Sequence, residues 1–250
     1  MKQALMIASF GTTHEDARNE NIAPIEAAIA KAIAPRPFKR VFTSRQVKRK
    51  CERGQGLFVF NEMEALEAFE EEGYERQTIA VQPLHVIPGA EYEKLTALEG
   101  VKVGRPLLDN MKSMDELIEA LPMEMAEDEG LLLFGHGTYH GNDAIYQKLN
   151  ARLHEKGYPR AFVITAEGSV QILDVIGPMK EAGVRRVRLR PLLIVAGEHA
   201  KQDMASEEPG SVRSILSSEG FEVKVELEGL GALKGIQDIF VRRALEVMED

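Results

Sequence analysis

The chain has 250 residues, of which 44% are hydrophobic and 28% charged, and this composition excludes a disordered or fibrous protein. Its formal net charge of −9 at pH 7 argues against a nucleic-acid partner, because phosphate binding requires clustered Lys and Arg in excess. Cys51 is the only cysteine and no apolar run is long enough to span a membrane, which excludes cysteine-rich metal sites and predicts a cytoplasmic protein.

Short apolar runs alternate with amphipathic helical patterns along the chain, and this alternation predicts parallel sheets built from β-α-β units. The predicted strands are 5–9, 40–42, 78–81, 131–134, 161–164, 187–195 and 223–227. The segment 122–130 begins with proline, is acidic and lacks periodicity, so it predicts a boundary between domains 1–125 and 126–250. The apolar face of a last helix, 236–248, needs a partner surface, and we expect it to pack back on the first domain.

Two groups of residues recur in the same order in both halves of the chain, which predicts a duplicated unit. Residues 9–13 (SFGTT) align with 135–139 (GHGTY), and residues 82–91 align with 190–199. Both groups follow predicted strands, and ligands of open parallel sheets bind at the carboxyl ends of strands. We therefore expect an α/β fold of two similar Rossmann-like domains with a cleft between them. Four residues are expected to line this cleft: Phe10, Glu91, His136 and His199.

Three residues at predicted strand ends carry side chains that bind divalent metal ions. They are His136 between two glycines, Glu167 after strand 161–164, and His199 after a long apolar strand. Their separations of 31 and 32 residues each match about one β-α unit, which predicts neighbouring positions on successive strands. Two imidazoles and one carboxylate are a common ligand set for a borderline divalent ion. The spacing alone leaves open a shared metal or acid–base site, or three unrelated loop residues.

Six segments together carry a family resemblance. They are SFGTT (9–13), FTS (42–44), LHVIPGAEYEK (84–94), GHGT (135–138), AEG (166–168) and PLLIVAGEHAKQDMAS (191–206). This set resembles the anaerobic sirohydrochlorin cobaltochelatases, which are similar in fold to protoporphyrin ferrochelatases, from the first strand to about Leu230. The family's metal-binding and catalytic His, Glu and His fall on His136, Glu167 and His199. The chain departs from the family pattern at Ser169 and Val170, where a Tyr-Pro pair is expected, and this departure leaves the shape of the macrocycle pocket open.

The resemblance implies that the protein inserts Co²⁺ into sirohydrochlorin during anaerobic cobalamin biosynthesis. Co²⁺ would then be a substrate, and no tightly bound cofactor is expected. A ferrochelatase or nickel chelatase of the same fold stays an alternative, because imidazole and carboxylate also accept Fe²⁺ and Ni²⁺. A carrier that binds tetrapyrrole or metal without turnover is a further alternative. The sequence leaves open the oligomeric state and which histidine accepts protons.

Sirohydrochlorin carries carboxylates around its rim, so an acidic protein needs local cations to hold it. Residues 43–50 are the densest basic run, and Arg45 and Arg49 share one helical face, where guanidinium groups can pair with carboxylates. A solvated helix surface is the alternative. The remaining expected substrate-binding residues are Phe10, Val86 and Ile87 as apolar walls, which could equally belong to the core, together with Thr12 and Glu91.

Overall fold

The computed structural model describes residues 2–138 and 143–249, and its contacts divide the chain into two compact units. Unit 1 comprises Met1–Asp109 and Gly231–Asp250, and unit 2 comprises Asn110–Leu230. The sequence placed the division after residue 125, whereas residues 110–125 belong to unit 2. The helix Met111–Ala120 contacts the helix Ala144–Glu155 of unit 2, and Arg152 donates to both carboxylate oxygens of Asp115, at 2.7 and 2.8 Å. Tyr139, which the alignment pairs with Thr13, lies outside the described residues.

Unit 1 contains a four-stranded parallel sheet in the order β2-β1-β3-β4. Its strands are Ala4–Ser9 (β1), Phe38–Phe42 (β2), Ile79–Pro83 (β3) and Lys102–Val103 (β4). Its first helices are Glu15–Ala17 (α1), Ala23–Ile33 (α2), Arg45–Gln55 (α3), Glu62–Glu71 (α4) and Ala90–Thr96 (α5). A π-helical turn, Arg18–Ile22, joins α1 to α2. The central strand β1 is buried at every position, because it pairs on both edges and is covered on both faces.

Unit 2 repeats this topology with a parallel sheet in the order β6-β5-β7-β8. Its strands are Glu129–Gly135 (β5), Ala161–Thr165 (β6), Arg186–Pro191 (β7) and Glu222–Val225 (β8). Its helices are Met111–Ala120 (α6), Ala144–Glu155 (α7), Ile172–Glu181 (α8) and Val212–Ser218 (α9), with a π-helical turn at Ala200–Met204. The core cluster of this unit contains apolar residues from β5, β6, β7, α8 and α9.

Backbone hydrogen bonds beyond the strand ends repeat in the two units at corresponding positions, and two of the three matching pairs have their donors in the aligned segment 82–91 and 190–199. The matching bonds are Leu84 N to Ala8 O and Leu192 N to Phe134 O, both 2.7 Å; Gly89 N to Ile87 O and Gly197 N to Val195 O, both 2.9 Å; and Thr43 N to Ser9 O and Ala166 N to Gly135 O, 2.9 and 3.0 Å. Gly11 and Gly137 also share a positive φ, at 93° and 82°. The expected duplication is therefore visible in the backbone.

The last helix, Lys234–Glu249 (α10), belongs to unit 1, where it packs against α2 and β3. Arg243, which is only 2% exposed, anchors α10 by donating to the carbonyl oxygens of Pro106 and Leu107. None of the helices in the described ranges has the length and apolar character needed to cross a membrane.

Candidate metal-binding and active site

His136 follows β5 and is fixed by the two glycines on either side of it. A Cβ atom at Gly135 would lie 2.6 Å from the Tyr146 ring, and one at Gly137 would lie 2.6 Å from the backbone carbonyl of Glu167. Gly137 also has a positive φ, which disfavours any other residue. His136 is half-buried, and its loop can adopt this conformation only with glycine on both sides of it, because any larger residue would clash.

Glu167 follows β6, the strand that neighbours β5, and its backbone is tied to His136. The backbone N–H of Glu167 donates to the carbonyl oxygen of His136 at 2.8 Å. The two loops are also joined by Asp143, whose carboxylate accepts the backbone N–H groups of Thr138 at 3.2 Å and Ser169 at 2.6 Å. Asp143 is 8% exposed, so these bonds lie largely out of water and hold the loops that carry His136 and Glu167 in register.

His199 follows β7 on the other side of β5, and its ring meets that of His136. The ring centroids are 4.7 Å apart, with an angle of 79° between the planes. Nδ1 of His136 lies 3.2 Å from the Gly137 carbonyl oxygen, and Nδ1 of His199 lies 2.6 Å from Oδ2 of Asp203. Carbonyl and carboxylate oxygens only accept hydrogen bonds, so both Nδ1 atoms are assigned the proton. In a neutral imidazole this leaves the Nε2 lone pair available to a metal ion.

The sheet order explains which of the three predicted ligands are brought together. β5 lies between β6 and β7, so His136 neighbours both other loops, while those of Glu167 and His199 are separated by one strand. Throughout residues 2–138 and 143–249, no three His, Cys, Asp or Glu side chains are grouped closely enough to hold a metal ion. The structure therefore contains a histidine pair with the Glu167 loop bonded beside it, rather than a closed three-ligand cage.

Ser169 and Val170, where the chain departs from the expected family pattern, have separate roles. The Ser169 hydroxyl accepts a hydrogen bond from Gln147 at 2.9 Å on the surface, whereas Val170 packs against the core of unit 2. The carbonyl oxygen of Val170 also accepts the Thr165 N–H at 2.8 Å, which closes the loop containing Glu167.

The loops that follow the strands of unit 1 contain the apolar and acidic residues expected to bind the substrate. Phe10, which aligns with His136, is 50% exposed, and Val86 and Ile87 are half-buried. Glu91, which aligns with His199, accepts from Lys94 Nζ with both carboxylate oxygens at 2.7 Å. The hydroxyl of Thr12 is buried and accepts the His14 N–H at 3.1 Å, so Thr12 stabilises its own loop.

Arg45 and Arg49, the two expected carboxylate-binding residues, differ in their surroundings. Both Nη atoms of Arg45 donate to the buried carboxylate of Glu62, one of them at 2.7 Å. Arg49 is exposed and has no ion-pair partner among the described residues. It lines a surface depression of about 390 Å³ with three other exposed residues of α3: Gln46, Lys50 and Arg53. The available cationic face of α3 is thus formed by Arg49, Lys50 and Arg53.

His85, which follows β3, is a polar residue whose role the sequence did not reveal. Its Nε2 lies 3.3 Å from the Thr43 hydroxyl, and its Nδ1 is buried with no hydrogen-bond partner among the described residues. Burial lowers the pKa of His85 to about 4, an effect that the nearby Glu91 carboxylate opposes and Lys94 reinforces. His85 is therefore neutral near pH 7.

A solved structure has the same architecture as this chain. The structure of SirB from Bacillus subtilis with Fe³⁺ aligns with a TM-score of 0.67, covering 99% of this chain and 96% of that one, at 15% sequence identity. At this identity the likeness shows the fold alone, which both proteins share along nearly their whole lengths.

The particular family follows from sequence comparison. The family model described as cobalt chelatase (CbiK) matches residues 3–249, and the chain belongs to this family. The sirohydrochlorin cobaltochelatase of Salmonella typhimurium is 32% identical, over 96% of this chain and 94% of the relative. The sirohydrochlorin cobaltochelatase CbiKC of Nitratidesulfovibrio vulgaris is 30% identical, over 96% of this chain and 88% of the relative.

Proposed function

We propose that this protein inserts Co²⁺ into sirohydrochlorin in anaerobic cobalamin biosynthesis, in the cytoplasm. Membership of the cobalt chelatase family and two relatives that carry this activity in their names support the proposal. The structural observation that carries it is the pair of facing rings, His136 and His199, at the ends of two adjacent strands. Co²⁺ enters this reaction as a substrate, and no tightly bound cofactor is required.

His136, Glu167 and His199 are the proposed metal-binding and catalytic residues. Nε2 of each histidine would bind Co²⁺, and the Glu167 carboxylate would reach the ion from the adjacent loop and neutralise part of its charge. Imidazole and carboxylate are borderline to hard ligands that hold Co²⁺ less tightly than a thiolate set would. Such a ligand set suits an ion that must be handed to four ring nitrogens rather than stored.

Metallation also requires a proton acceptor, because the free macrocycle carries two pyrrole N–H groups. Four cobalt–nitrogen bonds form as the bonds from cobalt to the protein break, and two protons leave the ring, so the charge of the metallated ring core is balanced. Histidine is suited to this task because its ordinary pKa is close to neutral pH. We assign the proton-accepting role to His136, with His199 as its partner.

Unit 1 would bind the organic substrate. Phe10, Val86 and Ile87 offer apolar surface to the ring, and Glu91 and Thr12 lie on the loops that carry this surface. The rim carboxylates would pair with Arg49 together with Lys50 and Arg53, while Arg45 contributes indirectly by fixing α3 to Glu62. Arg49 therefore keeps its proposed role as a direct contact.

An anaerobic absorbance assay tests this function. Purified protein is mixed with excess sirohydrochlorin and Co²⁺, Fe²⁺ or Ni²⁺ in turn, and the metallated product is followed over time. We expect many product equivalents per protein chain and the highest kcat/KM with Co²⁺. A single equivalent of product would instead identify a carrier, and a higher kcat/KM with Fe²⁺ or Ni²⁺ would identify a different chelatase.

A further inference from the structure

The ring of His199 is held by a carboxylate within the π-helical turn that follows it. Nδ1 of His199 and Oδ2 of Asp203 are 2.6 Å apart, and the two residues are spaced i,i+4. Asp203 lies inside the turn Ala200–Met204, whose wider backbone replaces an α-helical turn directly after the proposed ligand. Both side chains are about half exposed, at 44% and 51%, so the pair is accessible to water.

The position of Asp203 is not required by the fold. In unit 1, Glu91 occupies the position that aligns with His199. The residue four positions later is Leu95, which lies on α5 and is fully buried in the core. The carboxylate is therefore present in the unit that has the histidine, whereas the aligned helix of the other unit uses this position for packing. This contrast points to a role that is tied to the His199 side chain.

We propose that Asp203 is a positioning residue for His199. Its carboxylate accepts the Nδ1 proton, which fixes the tautomer with a free Nε2 lone pair and fixes the orientation of the ring. Carboxylates that hold metal-binding histidines in this way typically change metal affinity or activity by roughly 10- to 100-fold. This inference rests on the proposed metal-binding role of His199.

A purely structural ion pair makes a different prediction. Exposed i,i+4 pairs contribute little to stability, and removing one elsewhere in the chain leaves metal binding untouched. The pair between Lys234 and Asp238 on α10 is also exposed and spaced i,i+4. Asp238→Asn is therefore a matched control for Asp203→Asn, because it makes the same chemical change in the same kind of pair.

The test measures Co²⁺ affinity directly by equilibrium dialysis, together with the KM for Co²⁺, kcat and Tm. The variants are Asp203→Ala, Asp203→Asn, Asp203→Glu, Asp238→Asn and His199→Ala. For Asp203→Ala and Asp203→Asn we expect Co²⁺ affinity to fall roughly 10-fold or more and the KM for Co²⁺ to rise accordingly, with Tm close to wild type. Asp203→Glu should recover part of the affinity, and Asp238→Asn should match wild type.

The outcomes separate this inference from the proposed function. If Asp203→Ala binds and inserts Co²⁺ like wild type while His199→Ala loses both, Asp203 does not position the ligand and the proposed site stands. If His199→Ala also keeps normal Co²⁺ affinity and turnover, the proposed metal site itself is wrong. A loss in Asp203→Ala that comes with an equal loss of folded protein, without recovery in Asp203→Glu, would likewise overturn the positioning role.

Discussion

Units 1 and 2 have matching strand pairing and loop hydrogen bonds, but three corresponding positions at their strand ends carry side chains of different chemistry. The positions of His136, Glu167 and His199 in unit 2 correspond to Phe10, Ser44 and Glu91 in unit 1. Even the bond from Glu167 N to His136 O has a counterpart, from Ser44 N to Phe10 O at 3.3 Å. Strand order and loop hydrogen bonds therefore determine where these side chains lie, and the chemical difference between the units lies in the side chains themselves.

The strongest test of this division of roles replaces His136 with Ala. We expect kcat for cobalt insertion to fall by roughly 10²-fold or more, about 2.7 kcal/mol of activation free energy, because the proposed proton acceptor and metal ligand is lost. Tm should stay near wild type, because a half-buried loop side chain contributes little packing. The insertion rate and the thermal melt are measured side by side.

Phe10→Ala is the matched variant in unit 1. It should raise the KM for sirohydrochlorin and leave kcat nearly unchanged, because an apolar wall contributes to ground-state and transition-state binding alike. A fall in kcat as large as that of His136→Ala would contradict the division of roles between the units.

The second pair of variants is Glu167→Gln and Ser44→Ala. Glu167→Gln keeps the shape but removes the charge, so we expect Co²⁺ affinity to fall on the order of tenfold, about 1.4 kcal/mol of binding free energy. The Ser44 hydroxyl accepts the Val47 N–H at the start of α3, so Ser44→Ala should lower the free energy of unfolding by about 1 kcal/mol. Equilibrium dialysis and urea unfolding separate the two effects, and unchanged Co²⁺ affinity in Glu167→Gln would remove Glu167 from the ligand set.

The third prediction concerns His85, whose position in unit 2 is taken by Leu193. Because burial lowers its pKa to about 4, the unfolded chain binds more protons than the folded one between that pH and about 6.5. The free energy of unfolding should therefore fall as the pH falls through this window. We expect His85→Leu to remove this contribution, roughly 1 kcal/mol at pH 5.5. Urea unfolding of both proteins at pH 7.5 and 5.5 measures the difference, and parallel pH dependences would contradict the prediction.

The smallest effect is expected at the cationic face of α3. Arg49→Glu with Arg53→Glu should raise the KM for sirohydrochlorin roughly fivefold at low salt with kcat unchanged, because each exposed ion pair contributes little. The rise should shrink when NaCl is added. Lys31→Glu with Lys112→Glu makes the same charge change at exposed positions elsewhere and should leave KM unchanged. Equal KM values for the two double variants would show that net charge, rather than this face, controls binding.

Most of the fold could be predicted because β1, β5 and β6 consist mainly of apolar residues. The missed strand, β4, is two residues long and begins with an exposed lysine, so no apolar run marks it. The predicted strand 187–195 ends at Pro191 instead. Beyond this end of β7, the Leu192 N–H donates to the carbonyl oxygen of Phe134. An apolar run thus marks burial, and the hydrogen bonds that end the strand depend on its neighbours.

The site was predicted less completely, for reasons that depend on tertiary structure. The spacing placed His136, Glu167 and His199 at strand ends, but it could not show that β5 lies between β6 and β7. Asp203 has a local signal, since it stands four residues after His199, whereas Asp143 depends on two loops meeting. The pairing of Arg45 with Glu62 likewise joins residues from separate helices, and no spacing rule reveals it.

The assignment of α10 to unit 1 has a consequence for the order in which the protein is completed during synthesis. Unit 2 is one continuous stretch of chain, so all of it has been translated before α10 exists. Residues 1–109 of unit 1 are translated before unit 2, but the helix that packs on α2 and β3 is missing until α10 leaves the ribosome. Synthesis of unit 1 therefore starts before that of unit 2 and is completed after it. Until α10 is present, the apolar surface of α2 and β3 that it covers is open to misassembly.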